Sequence, residues 1–188
     1  MELPVIVGIS GASGVIYGIE TLKALSQLDV ETHLILTHAG ATNIEIETNY
    51  SVEQVKEMAT VVYEPEDMAA AVSSGSFFTR GMLVAPCTIK TLSAIANSYN
   101  STLLVRAADV TLKERRPLVL MVRETPLHKG HLDLMSRAAD LGAIILPPVP
   151  AFYHQPKTIE DLIQQSVGKA LDFLKIEHTL FRRWKSQN

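Results

Sequence analysis

The chain has 188 residues, of which 47% are hydrophobic and 20% are charged, and its formal net charge at pH 7 is −3. This composition is typical of one folded α/β domain rather than of a disordered chain. The small negative charge argues against nucleic acid as the main partner, and no apolar run is long enough to cross a membrane. Cys87 is the only cysteine, and the chain starts on a strand pattern rather than a signal peptide, so we expect a cytoplasmic protein.

Short apolar runs alternate with helical patterns along the whole chain. The predicted strands cover residues 4–9, 32–36, 61–63, 82–85, 118–122 and 143–146. The predicted helices cover residues 15–27 and 41–48, a stretch that begins at 51, and then 66–72, 89–96, 103–114, 132–141 and 159–174. This alternation predicts a Rossmann-like, flavodoxin-related α/β fold, a doubly wound parallel sheet between two helical layers (α/β/α). Because no linker interrupts the pattern, we expect residues 1–188 to form a single domain.

The glycine-rich loop GISGASG follows the first predicted strand. Its glycines, Gly8, Gly11 and Gly14, recur every third residue, with Ser10 and Ser13 between them. Glycines let a ligand approach the backbone, and the free N–H groups at the start of the next helix attract anions. Because the same glycines also permit tight packing of strand against helix, the loop is either a phosphate-binding turn or a packing motif. Its G-x-x-G-x-x-G spacing differs from the G-x-G-x-x-G of dinucleotide-binding folds.

The end of the second predicted strand carries Thr37 and His38. Dinucleotide-binding folds have an acidic residue near this point, where it binds a ribose hydroxyl. The lack of that acid disfavours NAD and favours a mononucleotide.

Polar and aromatic residues follow most of the predicted strands. In open parallel sheets, ligands bind beyond the carboxyl ends of the strands. The candidates at this edge are Ser10, Gly11, Ser13, Thr37, Cys87, Thr88, Arg123, Glu124 and the segment FYH at 152–154. Their hydroxyl, guanidinium, carboxyl and aromatic groups suit a planar, phosphorylated ligand.

Five further residues each allow more than one interpretation. Arg106 and Lys113 lie seven residues apart on one face of a predicted helix, where they form either a solvated ion-pair face or a second phosphate site. Cys87 is either a nucleophile, for which no histidine lies at a suitable distance, or a small buried hydrophobic residue. His128 and His131 could share a helical face as metal ligands, but no third ligand is recognisable, so we predict no metal site.

Four segments resemble the UbiX-type flavin prenyltransferases, a family long described as aromatic acid decarboxylases. These segments are GISGASG, TIKTLSAI, RAADVTLKERRPLVLMVRETPLH and PPVPAFYHQP. The resemblance implies a homododecamer that joins the dimethylallyl group of dimethylallyl phosphate to N5 and C6 of reduced FMN, without a metal ion. The product, prenylated FMN, is the cofactor of UbiD-type decarboxylases in ubiquinone synthesis or in the degradation of aromatic acids.

The resemblance also implies roles for individual residues. Those that match flavin-binding positions are Gly11, Ala12, Ser13, Thr37, Thr88, Ile89, Lys90, Thr91 and Arg123. Those that match the prenyl-phosphate pocket are Arg106, Lys113, Arg123, Glu124, Tyr153 and Lys169. Thr37 stands where the family usually has serine, and it keeps the hydroxyl group. The last helix and the tail at 181–185 are implied to close the active site of this or a neighbouring subunit.

Three of the matched residues are implied to be catalytic, namely Ser13, Glu47 and Glu124. Ser13 faces the reacting centre. Glu124 is expected to donate a proton to the leaving phosphate, because neighbouring negative charge raises the pKa of a carboxyl group. Glu47 is expected to receive the proton that the flavin loses when the new ring closes.

Two other functions are compatible with the residues. The first is direct decarboxylation of hydroxyaromatic acids, although no base is recognisable that would face a carboxylated ring. The second is a non-catalytic FMN-binding protein that delivers the flavin to a decarboxylase.

Overall fold

The structure, a computed structural model, describes residues 3–185, so the outermost residues of the predicted 1–188 domain lie outside it. The strands in the described residues are β1 (Val5–Ile9), β2 (Thr32–Leu36), β3 (Val61–Tyr63), β4 (Gly81–Cys87), β5 (Leu118–Val122) and β6 (Ile144–Ile145). They form an all-parallel sheet in the order β3-β2-β1-β4-β5-β6. The winding direction reverses between β1 and β4, so the loops after these two strands diverge and leave a crevice at the carboxyl edge of the sheet.

Helices connect the strands and cover the sheet on both sides. In the described residues they are α1 (Ile16–Gln27), α2 (His38–Glu47), α3 (Val52–Glu57), α4 (Ile89–Ala96), α5 (Leu103–Lys113), α6 (Lys129–Asp140) and α7 (Ile159–Phe173). A short 3₁₀ turn covers Ala71–Ser73. None of the helices in this part of the chain combines the length and the apolar character that a membrane crossing requires.

Two hydrophobic cores flank the sheet, and they confirm the predicted three-layer α/β/α fold. Side chains alternate between the two faces of a strand, so Val5 and Val7 of β1 pack in the core that contains α1 and α7. Ile6, between them, packs in the core that contains α4 and α5. Every residue of β1, β2 and β5 is buried, as expected for parallel strands that are covered on both sides.

The helix predicted at residues 66–72 is wrong. This stretch consists of turns followed by the 3₁₀ turn. The backbone N–H of Ala69 donates a hydrogen bond of 3.1 Å to Oδ1 of Asp67. Such a bond between a side chain and the nearby backbone competes with helical hydrogen bonds and stabilises a turn instead.

Two other helices begin three residues earlier than the hydrophobic pattern predicts, because each has a polar N-cap. Oγ1 of Thr37 accepts a hydrogen bond of 3.1 Å from the N–H of Gly40, and α2 therefore begins directly after Thr37. Nδ1 of His128 accepts a bond of 3.0 Å from the N–H of Gly130, at the start of α6. Caps of this kind satisfy donors that the helix leaves unpaired.

Candidate functional site

A cavity of about 490 Å³ lies at the carboxyl edge of the sheet, where the winding reverses. Its lining includes Ser10 and Gly11 after β1, Thr37 after β2 and Thr88 after β4. The start of α5 closes one side. This volume falls within the range of about 300–1,000 Å³ that is usual for small-molecule sites.

Ser10 fixes the floor of the cavity by joining the ends of β1 and β4. Its buried hydroxyl donates a hydrogen bond of 2.8 Å to the carbonyl of Pro86 and accepts one of 2.9 Å from the N–H of Thr88. Its backbone N–H also donates to the carbonyl of Pro86, at 3.2 Å. Because its hydroxyl and its backbone N–H both have protein partners, Ser10 acts as a structural link.

Three helices, α2, α4 and α5, begin at the cavity, and a threonine caps each of them. Thr37 caps α2, and Oγ1 of Thr88 caps α4 by accepting a bond of 3.0 Å from the N–H of Thr91. The hydroxyl of Thr88 also donates to that of Thr91, at 2.9 Å. Helix N-termini carry partial positive charge, and Lys90, the second residue of α4, also lines the cavity. The arrangement therefore favours a phosphate group.

The glycine loop serves packing as well as access to the cavity. A methyl group on Gly11 would collide with the side chain of Ala39 in α2 and would lie 3.1 Å from the backbone carbon of Ala39. The φ angle of Gly14 is +95°, a conformation that other residues rarely adopt. The packing interpretation of the loop is therefore correct for Gly11, while the loop also lines the cavity.

Glu47, the last residue of α2, reaches back to the end of the glycine loop. Its Oε2 accepts hydrogen bonds from the backbone N–H groups of Gly14, at 2.7 Å, and Val15, at 3.3 Å. The structure thus brings the carboxylate of Glu47 to the residue that follows Ser13, and both side chains are exposed to solvent. Two of the three residues expected to be catalytic are neighbours.

Arg123 and Glu124 follow β5 at the same edge of the sheet. The backbone N–H of Arg123 bonds to the carbonyl of Cys87 at 3.1 Å, and its side-chain Nε is buried without a hydrogen-bond partner among the described residues. A buried donor of this kind is costly unless an acceptor completes it, so it fits a bound polar ligand. Oε1 of Glu124 accepts a bond of 3.0 Å from the N–H of Thr125, and the side chain is exposed.

Arg106 and Lys113 do not line the cavity. They face the stretch from Ser73 to Phe78, here called the 73–78 segment. Nε of Arg106 donates 3.1 Å to the carbonyl of Ser73, and the ammonium group of Lys113 pairs with Glu114. That hydrogen bond and the charge of Lys113 lower the pKa of Glu114. Because Val105 lines the cavity and α5 rises about 1.5 Å per residue, Lys113 lies roughly 12 Å away along the helix.

Tyr153 and Lys169 lie near the C-terminal tail. The ring of Tyr153 meets that of Trp184 edge-on, with centroids 5.7 Å apart. Asp172 accepts hydrogen bonds of 2.6 and 3.0 Å from Arg183 and lies 3.5 Å from the ammonium group of Lys169. Burial raises the pKa of Asp172, but the hydrogen bond and charge of Arg183 outweigh that effect, and the pKa is lowered.

Within one chain, the predicted site residues therefore fall into separate groups. The flavin-binding candidates that line the cavity are Gly11, Thr37, Thr88, Lys90 and Thr91. Ala12, Ser13 and Ile89 adjoin them in the sequence, and Arg123 follows β5. The prenyl-phosphate candidates are divided between α5, the end of β5 and the region of the tail.

Sequence reasoning missed a hydrogen-bonded pair of side chains at the cavity. Nε2 of His38 lies 3.0 Å from Oε1 of Glu66, and both residues line the cavity. The position of His38 after a strand was a usable signal. Glu66 gave none, because it falls in the wrongly predicted helix.

Cys87 is not suited to nucleophilic catalysis. It is fully buried, and burial raises the pKa of its thiol to about 12. The reactive thiolate is therefore strongly disfavoured at neutral pH.

His128 and His131 stack with ring centroids 3.6 Å apart, and residues 3–185 contain no cluster of three or more side chains able to hold a metal ion.

A Rossmann-like sheet with two capped helix N-termini at its point of reversal defines a nucleotide-binding α/β protein. The family model for Flavoprotein matches residues 1–175. The flavin prenyltransferase UbiX of Thauera aromatica is 56% identical over 180 residues, which cover 96% of this chain and 93% of the relative. The chain belongs to the flavoproteins and, among them, to the family of UbiX-type flavin prenyltransferases.

Solved structures of similar proteins share this fold. The crystal structure of AnUbiX (PadA1) in complex with FMN and dimethylallyl pyrophosphate is 46% identical, with a TM-score of 0.97 over 100% of both chains. A dodecameric FMN-dependent UbiX-like decarboxylase from Escherichia coli O157:H7 is 44% identical, with a TM-score of 0.95 over 98% of this chain and 100% of the other.

Proposed function

We propose that this protein is a flavin prenyltransferase, which joins the dimethylallyl group of dimethylallyl phosphate to N5 and C6 of reduced FMN. The product, prenylated FMN, serves a UbiD-type decarboxylase. The observation that carries the proposal is the cavity between two capped helix N-termini, in a chain that shares its fold along its whole length with AnUbiX. The structure of that relative contains both FMN and dimethylallyl pyrophosphate.

The cavity at the carboxyl edge binds FMN. The N-termini of α2 and α4, together with Lys90, bind the phosphate group, since each presents positive charge to it. The unpartnered Nε of Arg123 donates to the ligand. The other residues that contact it are Gly11, Ala12, Ser13, Thr37, Thr88, Ile89 and Thr91. Reduced FMN supplies the nucleophilic atoms, N5 and C6.

The acidic side chains move protons. Glu47 is held at the glycine loop by the N–H groups of Gly14 and Val15, beside Ser13, and its carboxylate accepts the proton that is released at ring closure. The exposed carboxyl group of Glu124 donates a proton to the leaving phosphate. The acid, Glu124 after β5, and the base, Glu47 at the end of α2, thus act at different atoms.

Side-chain cations stabilise the leaving phosphate, and no metal ion is required. The residues that bind it are Arg106, Lys113, Arg123, Glu124, Tyr153 and Lys169. Positive groups aimed at an oxygen that gains charge as its bond breaks lower the barrier to reaction. The aromatic contact of Tyr153 with Trp184 supports a further role for the tail, which is to exclude water from the allylic cation.

Neighbouring copies complete the site in a homododecamer. Because Lys113 lies roughly 12 Å along α5 from the cavity, and Arg106 bonds to Ser73 outside the cavity, we assign both residues to the site of an adjacent subunit. Exposed apolar side chains at Ile46 (74% exposed), Phe152 (67%) and Trp184 (67%) support contacts between copies. The dodecameric assembly of the E. coli relative supports the number of subunits. The buried, unpaired thiol of Cys87 supports a cytoplasmic location.

The test is an anaerobic incubation of the purified protein with reduced FMN and dimethylallyl phosphate, followed by mass spectrometry of the flavin. We expect the flavin to gain the mass of one prenyl unit, and heat-denatured protein to produce no such gain. In a parallel incubation with a hydroxyaromatic acid, loss of that acid without this gain would identify a decarboxylase. FMN binding with neither reaction would identify a flavin carrier.

A further inference from the structure

Arg116, three residues after α5 ends, is hydrogen-bonded to the 73–78 segment. Its guanidinium group donates hydrogen bonds of 2.6 Å to the carbonyl of Phe77 and 2.8 Å to the carbonyl of Gly75. It also lies over the ring of Phe78, 5.4 Å from the centroid. The backbone N–H of Arg116 bonds to the carbonyl of Thr111 in α5, at 2.9 Å. One side chain thus fastens the segment to the C-terminal end of α5.

The Lys113–Glu114 pair rests directly on Gly75. A methyl group placed on Gly75 would collide with the carboxylate of Glu114 and would lie 2.8 Å from Nζ of Lys113. The φ angle of Gly75 is not positive, so its backbone conformation does not demand glycine. The atoms that a methyl group would meet are the ends of the Glu114 and Lys113 side chains, which would have to shift.

The same segment also holds the second cation of α5. Nε of Arg106 donates to the carbonyl of Ser73 at 3.1 Å, and its Nη1 lies 3.4 Å from Oδ2 of Asp109. Asp109 in turn accepts a bond of 3.0 Å from the side-chain amide of Asn100. The 73–78 segment is therefore bonded to Arg106 and lies against the Lys113–Glu114 pair.

We propose that Arg116 is a positioning residue for prenyl-phosphate binding, and that it acts through Gly75 on Lys113. The inference rests on the proposed function, in which Lys113 binds the phosphate. A lysine side chain has four rotatable bonds and loses much conformational freedom when it binds a ligand. If its ammonium group is already placed, less of the binding free energy is lost to ordering.

The first experiment compares Arg116→Gln with Arg115→Gln in the assembled protein. Arg115 is the adjacent, exposed arginine, so it matches the change in charge. We expect Arg116→Gln to raise KM for dimethylallyl phosphate roughly tenfold, because charge-assisted hydrogen bonds to the segment are lost, while kcat and the Kd for FMN change little. Arg116→Lys should restore part of the loss, since one ammonium group can still reach a carbonyl. A purely structural role would instead lower Tm and kcat without a selective effect on KM.

The second experiment uses Gly75→Ala, which leaves Arg116 in place and displaces only the charged pair. Calorimetric titration of the FMN-loaded protein with dimethylallyl phosphate should show a severalfold higher Kd, with Tm unchanged. In the background of Lys113→Ala, the same glycine substitution should have no further effect, because the residue through which it acts is gone.

The outcomes separate the inference from the proposed function. If Gly75→Ala and Arg116→Gln both leave Kd and KM for dimethylallyl phosphate at wild-type values, the positioning role is wrong. An effect of Gly75→Ala that persists undiminished without Lys113 would also overturn it. If the wild-type protein binds dimethylallyl phosphate but does not prenylate FMN, the proposed function fails, while the ratios of Kd still test the role of Arg116.

Discussion

At the scale of single residues, Glu124 offers the sharpest test of the chemistry. In Glu124→Gln the amide oxygen can still accept the hydrogen bond from the N–H of Thr125, so the local geometry is retained and only the acidic proton is lost. We expect kcat to fall by about 10²–10⁴-fold, the usual contribution of a general acid, with the Kd for FMN unchanged. Single-turnover kinetics and a flavin titration measure the two quantities. Turnover near the wild-type rate would remove Glu124 from the mechanism.

Lys113 tests whether the two ligands have separate phosphate sites. Lys113→Ala should weaken the binding of dimethylallyl phosphate by tenfold or more, roughly the effect of one charged hydrogen bond, and leave FMN binding nearly intact. The reason is that Lys113 contacts Glu114 and Gly75 rather than the cavity. Lys129→Ala, at an exposed lysine paired with Asp133, is the control. Equal losses for both ligands in calorimetric titrations would contradict the assignment.

The sequence predicted some of these residues better than others. Thr37 and Thr88 were accessible because each directly follows a predicted strand, which is a local property. The surroundings of Lys113 were not, because its contact with Gly75 joins residues that are distant in sequence. Helical spacing placed Arg106 and Lys113 correctly on one face, but it contains no information about what that face meets.

At the scale of elements, we expect the cap of α4 both to stabilise the helix and to help bind FMN. A matched pair of variants separates these two effects. Thr88→Val removes the hydroxyl that accepts from the N–H of Thr91, and should cost about 1 kcal/mol of stability, as the loss of an N-cap usually does. Thr158→Val removes the equivalent bond to the N–H of Asp161 in α7, at 3.1 Å. Urea unfolding should show similar losses for both, whereas fluorescence titration should show weaker FMN binding only for Thr88→Val. Similar FMN affinities would mean that the α4 terminus does not bind the flavin.

The C-terminal tail is an element whose attachment depends on pH. Because the pKa of Asp172 is lowered in the folded state, its ion pairs with Arg183 and Lys169 contribute stability above its unfolded pKa of about 3.9. That contribution is lost as the pH falls through the lower folded value. Trp184 is the only tryptophan and reports on the tail directly. Its emission should shift to longer wavelength below about pH 4 in the wild type, and already at pH 7 in Asp172→Asn.

The control for the tail is Asp133→Asn, which removes a carboxylate of α6 that pairs with Lys129. It should leave the emission of Trp184 unchanged at pH 7. If Asp172→Asn has the same spectrum as the wild type at that pH, the ion pairs do not hold the tail.

Hydrophobic periodicity predicted α7 itself to within one residue of its end. The contacts of the tail were not predictable from the sequence, because they depend on how the chain after α7 folds back against that helix.

At the scale of the whole molecule, the sheet and its three layers followed from the alternation of strand and helix patterns, which is a global regularity. The stretch at 66–72 did not, because one side-chain hydrogen bond of Asp67 outweighs a weak helical pattern. Nor does any local pattern reveal that Lys113 of α5 lies away from the cavity of its own chain. That separation depends on the length of the helix and on its position beside the sheet.

The separation of Lys113 from the cavity of its own chain also has a genetic consequence. If each site takes its cavity from one subunit and its Lys113 from another, a protein with Glu47→Gln and a protein with Lys113→Ala are each impaired, at low concentrations of dimethylallyl phosphate, for different reasons. When the two variants are co-expressed and assemble at random, roughly a quarter of the sites in the symmetric oligomer receive an intact copy of both parts. Co-expression of the two variants should therefore give more activity than either variant gives alone. A chain that carries both substitutions, expressed alone, should show no such recovery of activity.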